Sequence, residues 1–464
     1  MDFDKIKKIY MIGIKGVGMT MIAQYLSAKG IKILGSDVHE KFMTDKVLKK
    51  SGIKVIENFN EKNIPIDTDL IIYSTAYQKN NIEVKKALSK KIKTLIYGKA
   101  LGEIFNKKYG IAVAGSHGKT TTTAWLGYVL NQAKLQPNVM VGSYIPQFKG
   151  NSLIGKSNYL IAETDEYQNK LKYFLPKAVI LNNIDYDHPD YFSTIKSYQQ
   201  VFINFIKKIP KKGFLIANFD DKIVNKIAIK NCKGKIISYA INNKADYLAY
   251  DIEQINNKQY FKLKFKQQNL GKFCISLFGK HNISNALAVI TTSIKLGIDI
   301  KIIRKYLKKF KGAERRLQII GKFKGATIID DYAHHPTEII TTLKGIKDVY
   351  KKNNIITVFH PHTFTRTKAL LNNFAKSFNN SDEIIILDIY GSAREKQGGV
   401  HSKDLVKLIK KQNINKKILY ISTLKKCEKY LRDNTKKNDI IVLMGAGNIF
   451  SIGKNLCQKN IHTN

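Results

Sequence analysis

Ile111-Ala-Val-Ala-Gly115-Ser116-His117-Gly118-Lys119-Thr120-Thr121-Thr-Thr123 is the stretch on which the reading of this chain turns. The apolar run Ile111 to Ala114 reads as a buried strand. It breaks at Gly115 and passes through Gly118-Lys119-Thr120 into an apolar-periodic segment, Ala124 to Leu130, that reads as a helix. Strand, glycine loop and helix form the context that a phosphate-binding loop requires. Glycines let backbone N–H groups approach the phosphates, and the helix N-terminus adds partial positive charge. Lys119 reaches the outer phosphates and Thr120 is placed to ligate Mg²⁺. The spacing departs from the usual pattern, because Val113 stands where a glycine is expected five residues before Gly118. A glycine-containing turn with a solvated lysine is the competing reading.

The rest of the chain narrows the choice. Its 464 residues exceed one core and predict two to four domains. A hydrophobic content of 44% excludes a disordered polymer. No apolar run is long enough for a membrane span, and Met1-Asp-Phe-Asp-Lys5 lacks the order of a signal peptide, so a soluble, cytoplasmic protein is expected. The four cysteines are far apart and read as reduced thiols. A net charge of +43 invites a nucleic-acid reading, but the lysines are spread along the chain without a basic tail or an aromatic-interleaved motif. Only six of the 79 basic residues are arginine, which points to coding bias and predicts no nucleic-acid partner. The few arginines then mark places that need a planar, two-pronged donor.

Upstream of the loop, Ile9 to Ile14 reads as a strand, Met19 to Ala28 as a helix and Ile31 to Leu34 as a second strand ending in Ser36-Asp37. The turn between them, Gly13-Ile-Lys15-Gly16-Val-Gly18, resembles a dinucleotide fingerprint but carries Lys15 in place of its second glycine. A nucleotide diphosphate fits it better than NAD, with Lys15 bringing positive charge near the phosphates and Asp37 facing a ribose or base. A further strand, Leu70 to Ser74, ends in small polar residues.

Downstream, each apolar run finishes in a polar cluster. Tyr159 to Ala162 leads to Glu163-Thr-Asp165-Glu166, and Ala178 to Asn182 leads to Asn183-Ile-Asp-Tyr-Asp187-His188. Oxygen-rich ligands with one imidazole suit Mg²⁺ on nucleotide phosphates. His281-Asn282-Ile-Ser-Asn285 opens a helix and offers polar groups to a purine, or merely a cap. Residues 301–310 read as a basic amphipathic segment, and Gly312-Ala-Glu-Arg315-Arg316 as a linker. A third α/β region follows, with strands ending in Asp330-Asp331-Tyr-Ala-His334-His335-Pro336, in His360-Pro-His362-Thr-Phe-Thr-Arg366-Thr, in Asp388-Ile-Tyr-Gly-Ser-Ala-Arg394-Glu395 and in Gly445-Ala-Gly447. Ligands of open parallel sheets bind at such carboxyl ends.

Taken in order, these motifs resemble the Mur ligase family along essentially the whole chain. The resemblance implies an α/β protein of three domains: a Rossmann-like domain for a UDP-sugar (1–100), a central P-loop ATPase-type domain (101–311) and a Rossmann-like domain that brings the amino acid (312–464). It implies that ATP phosphorylates the lactyl carboxylate of UDP-N-acetylmuramate and that the amine of L-alanine attacks the acyl phosphate, with a monomer or weak homodimer as the working unit. By motif, Gly115, Ser116, His117, Gly118, Lys119, Thr120 and Thr121 would hold the ATP phosphates, with Thr120, Glu163 and His188 on Mg²⁺. His281, Asn282 and Asn285 would face the adenine and Asp331 the ribose. One of Arg315 and Arg316 would reach the phosphates. Gly16, Gly18, Ser36, Asp37 and Ser74 would meet the UDP moiety, and His362 with Arg366 the alanine carboxylate. The stretch from Ala162 to Gln168 also resembles members that transfer a preformed tripeptide, so this acceptor stays open, as does the role of Arg394.

Overall fold

A computed structural model describes residues 2–77, 80–255, 258–391, 395, 397–412 and 415–458. Arg394 lies outside the described residues. Three sheets follow one another along the chain. The first has five parallel strands in the order Lys54–Ile56, Lys32–Ser36, Lys8–Ile12, Leu70–Tyr73, Thr94–Ile96. The strand order reverses beside Lys8–Ile12, so the Gly13–Gly18 turn and Ser74 sit together at the switch point.

The second sheet has ten strands. Tyr109–Ala114 lies between Ala178–Leu181 and Tyr159–Glu163, all parallel. Ile111 to Ala114 are wholly buried, as a strand covered on both faces must be. The register sets Glu163 beside Val113 and Leu181 beside Ala114. Three polar clusters therefore leave the sheet at one level. The helix after the phosphate loop runs Lys119–Gln132 and is buried nearly all round, with Trp125 stacked 5.3 Å from Phe310 and its indole N–H donating to the Leu307 carbonyl at 3.1 Å. The strands Tyr247–Ile255, Lys258–Phe265 and Gln268–Ile275, the last two antiparallel to their predecessors, extend this sheet at one edge. Their apolar residues alternate with exposed Lys and Gln, a half-buried pattern that is weaker than the continuous runs of the parallel strands.

The third sheet is parallel apart from its first strand, in the order Gln318–Phe323, Ala326–Asp331, Ile440–Met444, Ile355–Phe359, Glu383–Ile386, Lys417–Tyr420. The helix Tyr97–Asn106 places Leu101, Ile104 and Phe105 in one apolar cluster that runs from the first sheet into the second. The third sheet has its own apolar layers, one of which takes in Phe278 of the second unit, and charged and imidazole groups join the two at the cleft, described below. No helix among the described residues is long and apolar enough to cross a membrane.

Candidate active site

The phosphate loop is held by its neighbours before any ligand is considered. Gly115 adopts φ +129°, where an added Cβ would lie 2.9 Å from the Asn183 carbonyl. Gly118 caps the helix at φ +79°, where a Cβ would lie 2.5 Å from Asn285 Oδ1. Both positions exclude a side chain. Asn285 is thereby packed against the loop, and Thr122 Oγ1 donates to its Oδ1 at 3.2 Å. Ser116 Oγ donates to the Asp185 carbonyl at 2.7 Å and accepts from the Asp185 N–H at 2.8 Å. The Lys119 ammonium turns back onto the loop, to the Gly115 and Ser116 carbonyls, and pairs with Glu166 Oε2 at 3.0 Å. Burial works against its charge, but Glu166 and Asp165 outweigh that and raise its pKa.

Two openings meet at this loop, and a third adjoins the cleft at His188. One cleft of about 390 Å³ is lined by Gly16, Gly18 and Ser74 from the first sheet, Lys119, Thr120 and Glu163 from the second, and His334 and Glu338 from the third. There Glu163 accepts from Thr120 Oγ1 at 2.7 Å and from the Gly142 N–H at 2.6 Å. His188, at φ +58°, lies against Tyr167 with the rings tilted and their centroids 4.5 Å apart, and stands 3.7 Å from Glu166 Oε1. Asp165, Glu166 and His188 present ligand atoms within 4.8 Å of one another. Thr120 and Glu163 are thus in direct contact, whereas His188 belongs with Asp165 and Glu166 on the same cleft. Oxygen donors with one imidazole fit a hard divalent cation such as Mg²⁺.

A second cavity, of about 600 Å³, runs from His117, Thr121 and Asn182 to His281, Asn282, Asn285 and Asp331. The His281 Nδ1 is buried with no hydrogen-bond partner among the described residues, and burial lowers its pKa to about 4, so the ring is neutral. A neutral, unsatisfied imidazole on this wall suits a heteroaromatic ring with its own donors and acceptors. Asp331 accepts from the Leu317 and Ala333 N–H groups at 2.8 and 2.7 Å, and burial raises its pKa to about 6 against the pull of Arg316. The third opening, about 720 Å³, is lined by His362, Arg366, His188, Tyr77 and Tyr191.

The two adjacent arginines part company. Arg316 lines both the cleft and the second cavity and lies 3.7 Å from Glu338. Arg315 turns away at φ +60°, donating to Asp330 at 3.1 Å and to the Gly445 carbonyl at 2.7 Å. Within the first sheet, Ser36 is buried and donates to Glu83, so its hydroxyl does not line the cleft. Asp37 accepts from the Lys15 N–H at 2.7 Å, the Val38 N–H at 2.8 Å and the Tyr77 hydroxyl at 3.0 Å, shaping the turn from within. The expectation that Lys15 brings charge to a diphosphate is corrected. Its ammonium is buried and bonded to Val38, Glu40 and Glu57 on the far side of the turn.

Four carboxylates outside the residues assigned one by one from the motifs occupy the centre. Besides Glu166, Asp187 accepts from Arg366 and Asp185 from His117 Nε2 at 3.0 Å, while Glu338 Oε1 stands 3.2 Å from His117 Nδ1. Burial disfavours the His117 cation, but Asp185 and Glu338 outweigh it and raise its pKa to about 9. Glu338 also accepts from the His334 and His335 N–H groups as the third residue of the helix Pro336–Val349, a capping box. That spacing, His335 followed by Glu338, is the signal that could have found it.

The chain matches, in order, the models for the Mur ligase family catalytic domain over residues 8–109, the Mur ligase middle domain over 113–293 and the Mur ligase glutamate ligase domain over 315–447. It is 40% identical to a UDP-N-acetylmuramate–L-alanine ligase of Caldanaerobacter subterraneus and 39% identical to one of Alkaliphilus metalliredigens, spanning 99% and 98% of both chains respectively. Its fold superposes on the crystal structure of UDP-N-acetylmuramate-alanine ligase from Thermotoga maritima with a TM-score of 0.84 at 24% identity, covering 98% of this chain and 100% of that one. A murein peptide ligase from Psychrobacter arcticus follows at 0.73 and 24%, covering 97% and 98%. With all three domains matched in order and relatives aligned from end to end, the chain belongs to the Mur ligase family.

Proposed function

We propose that the protein joins L-alanine to the lactyl carboxylate of UDP-N-acetylmuramate, with ATP converted to ADP and phosphate, in peptidoglycan precursor synthesis. The observation that carries this reading is the cleft to which all three domains contribute. Residues fitted to a sugar diphosphate (Gly16, Gly18, Ser74), to phosphates and a cation (Lys119, Thr120, Glu163) and to the third domain (His334, Glu338) line one space. The alanine acceptor rests on the full-length relatives named for it.

A carboxylate is a poor acyl donor, and phosphorylation gives it a leaving group. The protein's work is to align the groups and neutralise phosphate charge. Lys119 holds the ATP phosphates from the loop and Arg316 approaches them from the third domain. Bound by Thr120, Glu163 and the His188 cluster, Mg²⁺ would neutralise charge on the phosphate oxygens. His281, Asn282 and Asn285 take the adenine and Asp331 the ribose. Arg366, with His362, takes the alanine carboxylate, leaving the amine toward the cleft. Among small donors only a guanidinium offers the matched fork.

The size of the Arg366 opening, about 720 Å³, joins the stretch from Ala162 to Gln168 in favouring a preformed peptide as acceptor. Phosphate release from ATP and Mg²⁺ with UDP-N-acetylmuramate separates the two. Release with L-alanine and none with the tripeptide is expected; the reverse would keep the ATP chemistry and overturn the acceptor.

A further inference from the structure

Lys15 carries a role of its own. It stands inside the glycine turn that follows the first strand, yet it is 1% exposed. An ammonium has three protons. Here three acceptors take them: the Val38 carbonyl at 2.9 Å, the Glu40 carbonyl at 3.0 Å and Glu57 Oε1 at 2.9 Å. Asp45 Oδ1 adds charge at 3.7 Å. The Lys119 ammonium also meets three acceptors but lines the cleft, whereas Lys15 lines none of the three openings. The main chain of the same residue is tied as tightly, its N–H donating to Asp37 Oδ2 at 2.7 Å and its carbonyl accepting from Thr44 Oγ1 at 2.5 Å.

Every one of these partners except Glu57 lies between Asp37 and Asp45. That segment has neither helix nor strand from residue 37 to 42, and its outer side chains His39, Glu40, Lys41 and Phe42 are exposed. A segment without a backbone ladder needs other partners to hold one shape. It leaves the carboxyl end of the strand Lys32–Ser36, next to the turn whose Gly16 and Gly18 line the cleft. Two of its carbonyls are turned inward onto one buried cation, His39 and Lys41 turn to Glu57 at 2.9 and 3.3 Å, and Asp37 holds the hydroxyl of Tyr77, a residue that lines the third opening, at 3.0 Å. Glu57 completes the cage from the next strand end, and Lys15 together with Lys41 holds its pKa down to about 2.

We infer that Lys15 is a positioning residue for the UDP-sugar: it fixes the 37–45 segment as a wall of that site and touches no phosphate itself. This rests on the reading of the Gly13–Gly18 turn as the diphosphate site.

Steady-state kinetics of the full-length enzyme with UDP-N-acetylmuramate, ATP and alanine test it, together with hydrogen exchange. K15M should raise the KM for UDP-N-acetylmuramate about ten-fold or more, in the range expected when a binding wall shifts, with kcat and the KM for ATP and alanine within about two-fold. K15R, which keeps the cation, should recover part of the loss. E57Q, a change in a residue that lines none of the openings at the loop, should raise the same KM, and the double variant should be no worse than the worse single one. In K15M, exchange should quicken over residues 38–44 while the sheet of the first domain is unchanged. An E57Q enzyme with unaltered KM, or additive effects in the double variant, would assign Lys15 to the phosphates and overturn the inference. Faster exchange across the whole first domain would reduce it to a stabilising role and overturn it as well. The underlying reading fails separately: without protection of residues 13–18 by UDP-N-acetylmuramate in the wild type, both fall. Normal protection with an unchanged KM in K15M removes Lys15 alone.

Discussion

Arg366 and Asp187 are joined across the cleft, with the guanidinium Nε 2.9 Å from Oδ1 and Nη2 3.5 Å from Oδ2, and both side chains buried. Asp187 precedes His188 in the chain, so the arginine proposed for the acceptor is tied to the group proposed for the cation. Burial alone would raise the Asp187 pKa; Arg366 and His188 instead hold it well below the usual carboxylate range. A lysine at 366 would keep a charge near Asp187 but lose the fork. Arg366→Lys is therefore expected to raise the KM for alanine about ten-fold or more while the KM for ATP stays within about two-fold. Initial rates against alanine concentration decide it, and an unchanged alanine KM would take Arg366 off the acceptor.

Glu163 offers a cleaner test of the cation. Its carboxylate accepts from Thr120 and from the Gly142 N–H, and a glutamine can keep the second bond through its carbonyl and redirect the first through its amide. Glu163→Gln should fold normally and raise the Mg²⁺ concentration for half-maximal rate about ten-fold, because a hard cation loses an anionic oxygen. Rates across a Mg²⁺ series check this; an unshifted requirement would move the cation to the Asp165, Glu166 and His188 group alone.

His117 makes the junction between second and third sheets sensitive to alkali. Its ring faces Asp185 on one side and Glu338 on the other, with the His335 ring 5.0 Å away. As an imidazolium it donates to both carboxylates; as a neutral ring it donates to one. Its pKa, about 9 in the folded chain, lies above the ordinary histidine value of about 6.5, so the stabilisation is complete below that value and is lost as pH rises through about 9. The difference in Tm between wild type and His117→Asn should be constant up to about pH 6.5 and shrink toward pH 10. A gap that stays constant across this range would show that the ring is neutral throughout.

Lys119→Ala is expected to abolish phosphate release. The change leaves the buried Glu166 without its ammonium partner, so Tm should fall as well, but among the described residues the hydrogen bonds of this pair stay within residues 115–198 and the chain should remain folded. Near-normal turnover in that variant would remove the phosphate loop from the reaction.

The fold was legible wherever burial on both faces produced an unbroken apolar run. Ile111 to Ala114 and Ala178 to Asn182 were read as strands, close to the observed Tyr109–Ala114 and Ala178–Leu181. Lys258–Phe265 was missed because a strand with one solvated face mixes lysines with its Phe and Leu, and in a lysine-rich chain that alternation has little contrast. In the site, residue type and position at a strand end were enough to single out Lys119 and Glu163, which the fold brings to one cleft. They were not enough to say where a long side chain points. Lys15 turns inward because three acceptors from residues distant in the chain await it there. Glu166 gained its place from a partner 47 residues away, information that no local pattern holds; the capping spacing places Glu338 on its helix but says nothing of His117, 221 residues away.

The pair Arg315 and Arg316 shows that limit at its sharpest and gives a decisive comparison. The sequence offers two identical side chains in a linker. The fold bends at the first of them, with φ +60° at Arg315, and sends the two guanidinium groups apart. Arg315 is buried between Asp330 and the carbonyls of Gly445 and Ala446, while its ring contacts are Tyr332 and Phe450. It binds the linker to two strand ends of the third sheet. Arg316 instead faces the cleft, with Glu338 at 3.7 Å as its charged partner. Arg315→Ala should therefore lower Tm, since it strips a buried carboxylate of its cation, an effect on the order of 3–5 kcal/mol for broken buried pairs. Arg316→Ala should leave Tm nearly unchanged and cut kcat by about 10²-fold or more, the scale for removing a charge that stabilises a transferring phosphoryl group. Thermal melts and initial rates on both variants check the division. Equal losses of kcat at an unchanged Tm would mean that Arg315 leaves Asp330 when the substrates bind.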